Sequence, residues 1–80
     1  MTEGRGVYSL IDVRDMLCAQ ALAQADQAIQ RLPTSAILEL VCNGDDVRDD
    51  ILAWAKQTGH SVLHADVQAK ETWIKVQKRT

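Results

Sequence analysis

The chain lacks the composition of a multidomain protein. It contains one proline, four glycines and no phenylalanine among 80 residues, and it shows no pattern typical of a repeat or a linker. So short a chain builds a single hydrophobic core and buries too little surface to enclose a large substrate cavity. We therefore expect one domain over residues 1–80, with residues 1–6 disordered and with its chemistry on the surface or between partners.

Long apolar runs and an excess of positive charge are also missing. No segment approaches the roughly 20 apolar residues that span a bilayer, and residues 1–6 carry no apolar signal segment. The formal net charge is −2, from 11 acidic and nine basic residues, which offers no positive field to nucleic-acid phosphates. The composition predicts a cytoplasmic protein that binds neither membranes nor nucleic acids.

Cysteine is scarce, with one thiol at Cys18 and one at Cys42. Two cysteines are too few for the disulfide scaffold of a small secreted domain, and in a reducing cytoplasm both are free thiols. Any chemistry they perform is therefore redox chemistry or sulfur transfer.

Hydrophobic periodicity predicts six elements along the chain. Runs of β-branched and aliphatic residues predict strands at 7–12, 36–42, 61–65 and 71–78. Apolar residues at steps of three and four predict a helix over 18–32, which Pro33 ends. A second helix is predicted to begin at Asp45 or Asp46, either of which can cap it, and to end at Gly59 as a left-handed C-terminal residue.

This order predicts a two-layer α/β sandwich, βαβαββ, with two helices on one face of a four-stranded mixed sheet. The first strand–helix–strand unit requires a right-handed crossover, so strands one and two are parallel and end at the same edge of the sheet. That edge collects Cys18, Cys42 and the start of the second helix, and it is where we expect function.

Cys18 falls in the first turn of the first helix, where free backbone N–H groups and the helix dipole favour an anion. A thiolate there could accept sulfur, hold it as a persulfide and present it to another nucleophile. The alternative is an inert buried cysteine, which is the more common fate of a single thiol. Position alone does not decide between the two.

Two sets of residues carry a family resemblance. Asp12 precedes Cys18 by six positions, and the second helix region holds Asp-Ile at 50–51, Trp-Ala at 54–55 and Gly-His at 59–60. These features resemble the TusA (SirA-like) sulfur-carrier family, and the likeness covers residues 10–78. It implies that Cys18 receives persulfide sulfur from a cysteine desulfurase or a rhodanese and passes it to an acceptor protein, without a cofactor.

The chain departs from the family pattern at the cysteine. The family's Cys-Pro-x-Pro motif reads Cys-Ala-Gln-Ala over 18–21, and the usual glycine three residues before the cysteine is Asp15. The family's Asp-Asp-Pro ahead of the second helix is Asn-Gly-Asp over 43–45. Proline at a first helical position fixes φ, so its loss is expected to loosen the presentation of Cys18 while the thiol remains.

Cys42, the aspartates and two arginines near this edge are further candidates, and the first two have alternative roles. Cys42 is a core residue or a second thiol that resolves a persulfide or forms a disulfide with Cys18, which needs Cα atoms within about 7 Å. Four aspartates over 45–50 either complement the helix start or hold a hard metal ion, and capping is favoured. Close to Cys18 they would raise its pKa. Arg14 and Arg48 are candidates to support an anion at Cys18.

The histidines and tryptophans give weaker signals. His60 and His64 lie on a predicted strand about 13 Å apart, too far to share one zinc ion, so no metal site is expected. His60 is expected to pack or to form a hydrogen bond at the corner between the second helix and the third strand, and His64 to lie on the exposed sheet face or at an edge. Trp54 is expected in the core, whereas Trp73 is expected partly exposed, where it could contact a partner.

The sequence is compatible with three functions. The first is a sulfur-relay protein that uses Cys18. The second is a non-catalytic relative, without the two prolines, that binds or regulates a sulfur or redox protein. The third is a small nucleic-acid-binding domain, which the acidic balance disfavours.

Overall fold

A computed structural model describes residues 8–79 and contains the six expected elements in the expected order. The strands are β1 (Tyr8–Asp12), β2 (Ile37–Cys42), β3 (Ser61–Gln68) and β4 (Glu71–Gln77). The helices are α1 (Cys18–Gln30) and α2 (Asp45–Gln57). The disorder expected for residues 1–6, and the strand start at Val7, lie outside the described residues.

The four strands form one mixed sheet in the order β1-β2-β4-β3. β1 pairs with β2 in parallel, from Tyr8 opposite Ile37 to Asp12 opposite Val41. β4 pairs antiparallel with both β2 and β3. The two-layer α/β sandwich predicted from the sequence is confirmed, and the parallel pair brings the ends of β1 and β2 to one edge.

One face of the sheet is buried under the helices. In β4, Thr72, Ile74 and Val76 are buried while the alternating residues between them remain partly exposed, as the period of two in the sequence predicts. The helix-side core is completed by small residues of α1 and by larger apolar residues of α2. Its most deeply buried large side chains are Val13, Ile29, Leu38, Leu40, Cys42, Ile51, Ile74 and Val76. Each large aliphatic member contributes roughly 1.5–3 kcal/mol through burial.

The start of α2 differs from the prediction. Gly44, with φ of +113°, is the residue that precedes the helix, and no side chain among the described residues caps its N-terminus. Asp45 and Asp46 lie inside the first turn, where their charge complements the helix dipole instead. At the other end, the predicted left-handed Gly59 is confirmed by its φ of +83°.

Two other boundaries move by two residues or more, whereas β2 and β4 each lose one terminal residue of the predicted range. α1 ends at Gln30, two residues before the predicted end, because the backbone tightens into a turn before Pro33. β3 continues three residues beyond Ala65, because its antiparallel pairing with β4 runs as far as Gln68 opposite Glu71. No helix in residues 8–79 is long and apolar enough to cross a membrane.

Candidate functional site

Cys18 is the first residue of α1 and lies at the surface beside a strongly exposed leucine. Its side chain is partly exposed and packs against the edge of the core. Leu17, which precedes the helix, is 74% exposed. The Leu17 N–H donates to Gln20 Oε1 at 3.2 Å, which satisfies one backbone donor at the helix start. The thiol predicted as the working group is therefore reachable from solvent.

The electrostatics at Cys18 oppose ionisation. A hydrogen bond with the Asp50 carboxylate raises the pKa of the Cys18 thiol, and partial desolvation and the charges of Asp50 and Asp46 raise it further. The backbone N–H of Cys18 acts in the opposite direction and is a smaller influence. The prediction of a depressed pKa at the helix start is wrong in sign, whereas the expected effect of nearby aspartates is confirmed.

The loop before Cys18 contains a residue in the left-handed region. Asp15 has φ of +65°, a conformation that glycine adopts freely and that aspartate adopts more readily than most residues. Its backbone N–H donates to Asn43 Oδ1 at 2.8 Å, and Asn43 Nδ2 donates to Asp15 Oδ1 at 2.8 Å. This reciprocal pair joins the β1–α1 loop to the turn between β2 and α2.

Cys42 is fully buried at the end of β2. Burial raises the pKa of its thiol, and the positive charge of Arg48 partly offsets that effect. Its predicted place in the core is confirmed. Both cysteines are free thiols, and a direct part for Cys42 in sulfur chemistry stays a prediction.

Arg14 is engaged with carboxylates of β1 and β4. Its guanidinium donates to both oxygens of Asp12, at 2.9 and 2.7 Å, and to Glu71. The hydrogen bonds from the side chain and the backbone N–H of Arg14 lower the pKa of Asp12 to about 2. Because its guanidinium is already paired with the carboxylates of Asp12 and Glu71, its support of an anion at Cys18 stays a prediction.

Arg48 also has carboxylate partners within α2. It donates to Asp49 Oδ1 at 3.1 Å and to Asp45 Oδ1 at 3.3 Å. The thiol on which its charge acts is Cys42. Its support of an anion at Cys18 likewise stays a prediction.

Sequence comparison decides the family. Residues 9–78 match the family described as Sulfurtransferase TusA. The chain belongs to the TusA family. It is also similar to the protein named "Putative sulfur carrier protein YrkI" of Bacillus subtilis (strain 168), with 26% identity over 54 residues, which is 68% of this chain and 72% of the relative. Membership of the TusA family supports a sulfur-carrier role.

The predicted histidines and Trp54 of this TusA-family chain lie on α2, on β3 and at the corner between them. The rings of His60 and Trp54 are 6.0 Å apart, and His60 Nδ1 accepts a hydrogen bond from Arg79 N–H at 3.2 Å, so its corner position is confirmed. His64 is exposed on the edge strand β3, and Trp54 is buried, as expected. Within residues 8–79, the structure gathers no group of three or more side chains suited to a metal ion.

Trp73 is partly exposed on the open face of the sheet, as expected. It lies opposite Val41 on one side and Asp66 on the other. Contact with a partner protein through Trp73 stays a prediction.

Sequence reasoning missed three contacts around this edge: the Asp15–Asn43 pair, the hydrogen bond from Cys18 to Asp50, and the link from Arg14 to Glu71. A signal existed for the first, since Asp15 stands where the TusA family has glycine. A signal existed for the second as well, because Asp46 and Asp50 are four apart and so share a helix face.

Proposed function

We propose that this TusA-family protein is a sulfur relay that accepts sulfur as a persulfide on Cys18 and transfers it to a partner protein. The observation that carries the proposal is a partly exposed thiol at the first residue of α1, in a chain whose family match runs from residue 9 to residue 78. The fold holds no other solvent-accessible thiol, because Cys42 is fully buried.

The proposed transfer is a balanced exchange between thiols and persulfides. The Cys18 thiolate attacks the outer sulfur of a persulfide on the donor protein, such as a cysteine desulfurase or a rhodanese. The donor's sulfur–sulfur bond breaks, its cysteine leaves as a thiolate, and Cys18 gains one sulfur atom. A nucleophile on the acceptor then attacks the outer sulfur of the Cys18 persulfide, and Cys18 returns to the thiol form.

The acidic surroundings of Cys18 define the partner that this exchange requires. Asp50, through its hydrogen bond and its charge, and Asp46, through its charge, raise the pKa of the Cys18 thiol above its ordinary value and so disfavour the thiolate. A partner with basic residues around its own cysteine would neutralise these carboxylates on docking and so favour the Cys18 thiolate. We propose such a basic surface on both donor and acceptor, with the exposed Leu17 as the apolar contact beside the thiol.

A second candidate is a non-catalytic TusA-like module that binds or regulates a sulfur or redox protein. The absence of both motif prolines and the raised pKa of Cys18 favour it. The two candidates differ in one property, which is whether Cys18 takes up sulfur.

The test is the intact mass of the protein after incubation with a cysteine desulfurase and cysteine, or with polysulfide. We expect a gain of about 32 Da per sulfur atom that a reductant removes. The gain should persist in Cys42→Ala and disappear in Cys18→Ser. Absence of any adduct on wild-type protein with either donor would contradict the relay and support the binding module, and an adduct that requires Cys42 would contradict the assignment of Cys18.

A further inference from the structure

Asp15 has a backbone conformation that most residues with a side chain avoid, yet its side chain forms a hydrogen bond with Asn43. With φ of +65°, a glycine at this position would carry no steric penalty. The aspartate instead pairs with Asn43 through two hydrogen bonds of 2.8 Å, one from its own N–H and one to its carboxylate. The side chain that makes the left-handed conformation less favourable also supplies one of the two bonds.

The two residues of this pair stand at the two connections that form the site. Asp15 lies three residues before Cys18 in the loop that leads into α1. Asn43 follows the last residue of β2 and precedes α2, the helix that carries Asp46 and Asp50. The pair is therefore a side-chain link between the loop that places the thiol and the turn that places its carboxylate neighbours.

We propose that Asp15 and Asn43 form a clasp that positions the Cys18 loop against the start of α2 and thereby sets how closely the Cys18 sulfur approaches the Asp50 carboxylate. The clasp restrains this loop directly ahead of the helix in which alanines stand where the family has prolines, at positions 19 and 21. Both are positioning residues, since they act on the thiol through the backbone. The inference rests on the proposed function only in taking Cys18 as the working thiol.

The charged groups around the thiol define what breaking the clasp should do. From α2, Asp46 and Asp50 face Cys18 and disfavour its thiolate. From the preceding loop, Asp15 adds a third carboxylate, whereas the guanidinium of Arg14 is paired with Asp12 and Glu71. Releasing the loop should let the sulfur move away from Asp50, so the thiolate should form at lower pH.

The experiment measures the rate at which iodoacetamide alkylates Cys18 between pH 6.5 and 10.5. Trypsin separates the thiols, because Cys18 falls in residues 15–31 and Cys42 in residues 32–48. The full chain is used as wild type, Asp15→Gly, Asn43→Ala and Asp15→Asn. Asp15→Gly tolerates the left-handed backbone and removes the carboxylate bond of the clasp, while its N–H can still donate to Asn43. Asn43→Ala removes both bonds without a change of charge, and Asp15→Asn removes the charge but keeps the accepting oxygen.

We expect the alkylation midpoint to move to lower pH in Asp15→Gly and Asn43→Ala, with the rate at pH 7.5 rising about threefold or more, since one pKa unit is a tenfold change in thiolate. Asp15→Asn should stay near wild type. In an Asp50→Asn background, Asp15→Gly should have little further effect, because the contact that the clasp controls is gone.

Unchanged midpoints in both Asp15→Gly, which loses one bond of the clasp, and Asn43→Ala, which loses both, would overturn the proposal. So would an equal shift in Asp15→Asn, which would assign the effect to charge, or a full shift that persists with Asp50→Asn. Alkylation needs no sulfur donor, so failure of persulfide loading would refute the relay and leave this test intact. Thermal melts of each variant confirm that the loops are compared in folded protein.

Discussion

Replacing Cys42 tests whether the second thiol is a packing residue. Cys42 is fully buried on the helix face of β2, directly opposite Thr72 of β4. Cys42→Ala removes one heavy atom of about the size of a methylene, which costs roughly 0.8 kcal/mol in burial plus a small cavity term. We therefore expect a loss of about 1 kcal/mol in the free energy of unfolding.

Cys42→Ser is close in shape but should be considerably worse. The serine hydroxyl would enter a core site whose cross-strand neighbour is Thr72, and a buried hydroxyl without a good partner costs a further 1–3 kcal/mol or so. The expected total is about 2–4 kcal/mol, in a domain whose whole stability is of the order of 4–12 kcal/mol. At roughly 4–8 °C per kcal/mol, the Tm should fall by about 5 °C for alanine and by about 10 °C or more for serine.

The assay is urea and thermal unfolding of wild type, Cys42→Ala and Cys42→Ser under reducing conditions, followed by sulfur loading of each. Loading of the alanine variant should equal that of wild type, which makes alanine the proper control for the mass experiment. A serine variant as stable as the alanine variant would refute the reasoning, because it would mean that the site accommodates a polar group. Loss of loading in a stable alanine variant would show that Cys42 takes part in the chemistry.

Three further predictions concern α2 and its end. Gly59→Ala should cost about 1–2 kcal/mol in the free energy of unfolding because φ is +83°, and crowding cannot be the reason since no atom crowds the added Cβ. Gly59→Asn should cost less, because asparagine adopts this conformation more readily. Urea unfolding compares the two variants, and equal costs would contradict the backbone explanation. Trp54→Phe should leave the free energy of unfolding nearly unchanged, since it removes an Nε1–H that is buried without a partner among the described residues. Trp54→Ala should cost about 3–5 kcal/mol. A large loss in the phenylalanine variant would argue against this explanation. Burial lowers the pKa of His60 below its ordinary 6.5, so the unfolded chain binds the proton more tightly and stability should fall as the pH drops below 6.5. His60→Gln should therefore lose less stability than wild type between pH 7.5 and pH 5 in thermal melts. An equal loss in the two proteins would refute this explanation.

The fold was predictable because each local pattern agreed with the others. Alternation in β4 and three- and four-residue steps in α1 placed Ile74 and Ile29 in the core, and the right-handed crossover then fixed the parallel pair. The end of β3 was not predictable in the same way. The strand turns at Ala69 with φ of +55°, a position without the glycine or asparagine that marks such turns. Its last residues are exposed, so no apolar alternation extends the strand signal.

The site was predictable in its location and less so in its contacts. Strand topology alone brings Cys18, Cys42 and the start of α2 to one edge. The Asp15–Asn43 pair depends on a left-handed residue and on two side chains 28 positions apart, and nothing in local propensity indicates that two polar loop residues will meet. Tertiary geometry decides such contacts.

The sign of the pKa shift at Cys18 shows why a single local rule misleads at this site. A helix N-terminus is equivalent to about half a positive charge and acts within the first turn. Asp46 and Asp50 each bring a full negative charge, and Asp50 also bonds to the thiol. Both aspartates act against the helix N-terminus, so the pKa of Cys18 lies above its ordinary value. Activation of this cysteine therefore has to come from a change around the two aspartates, and the start of α1 cannot supply it alone.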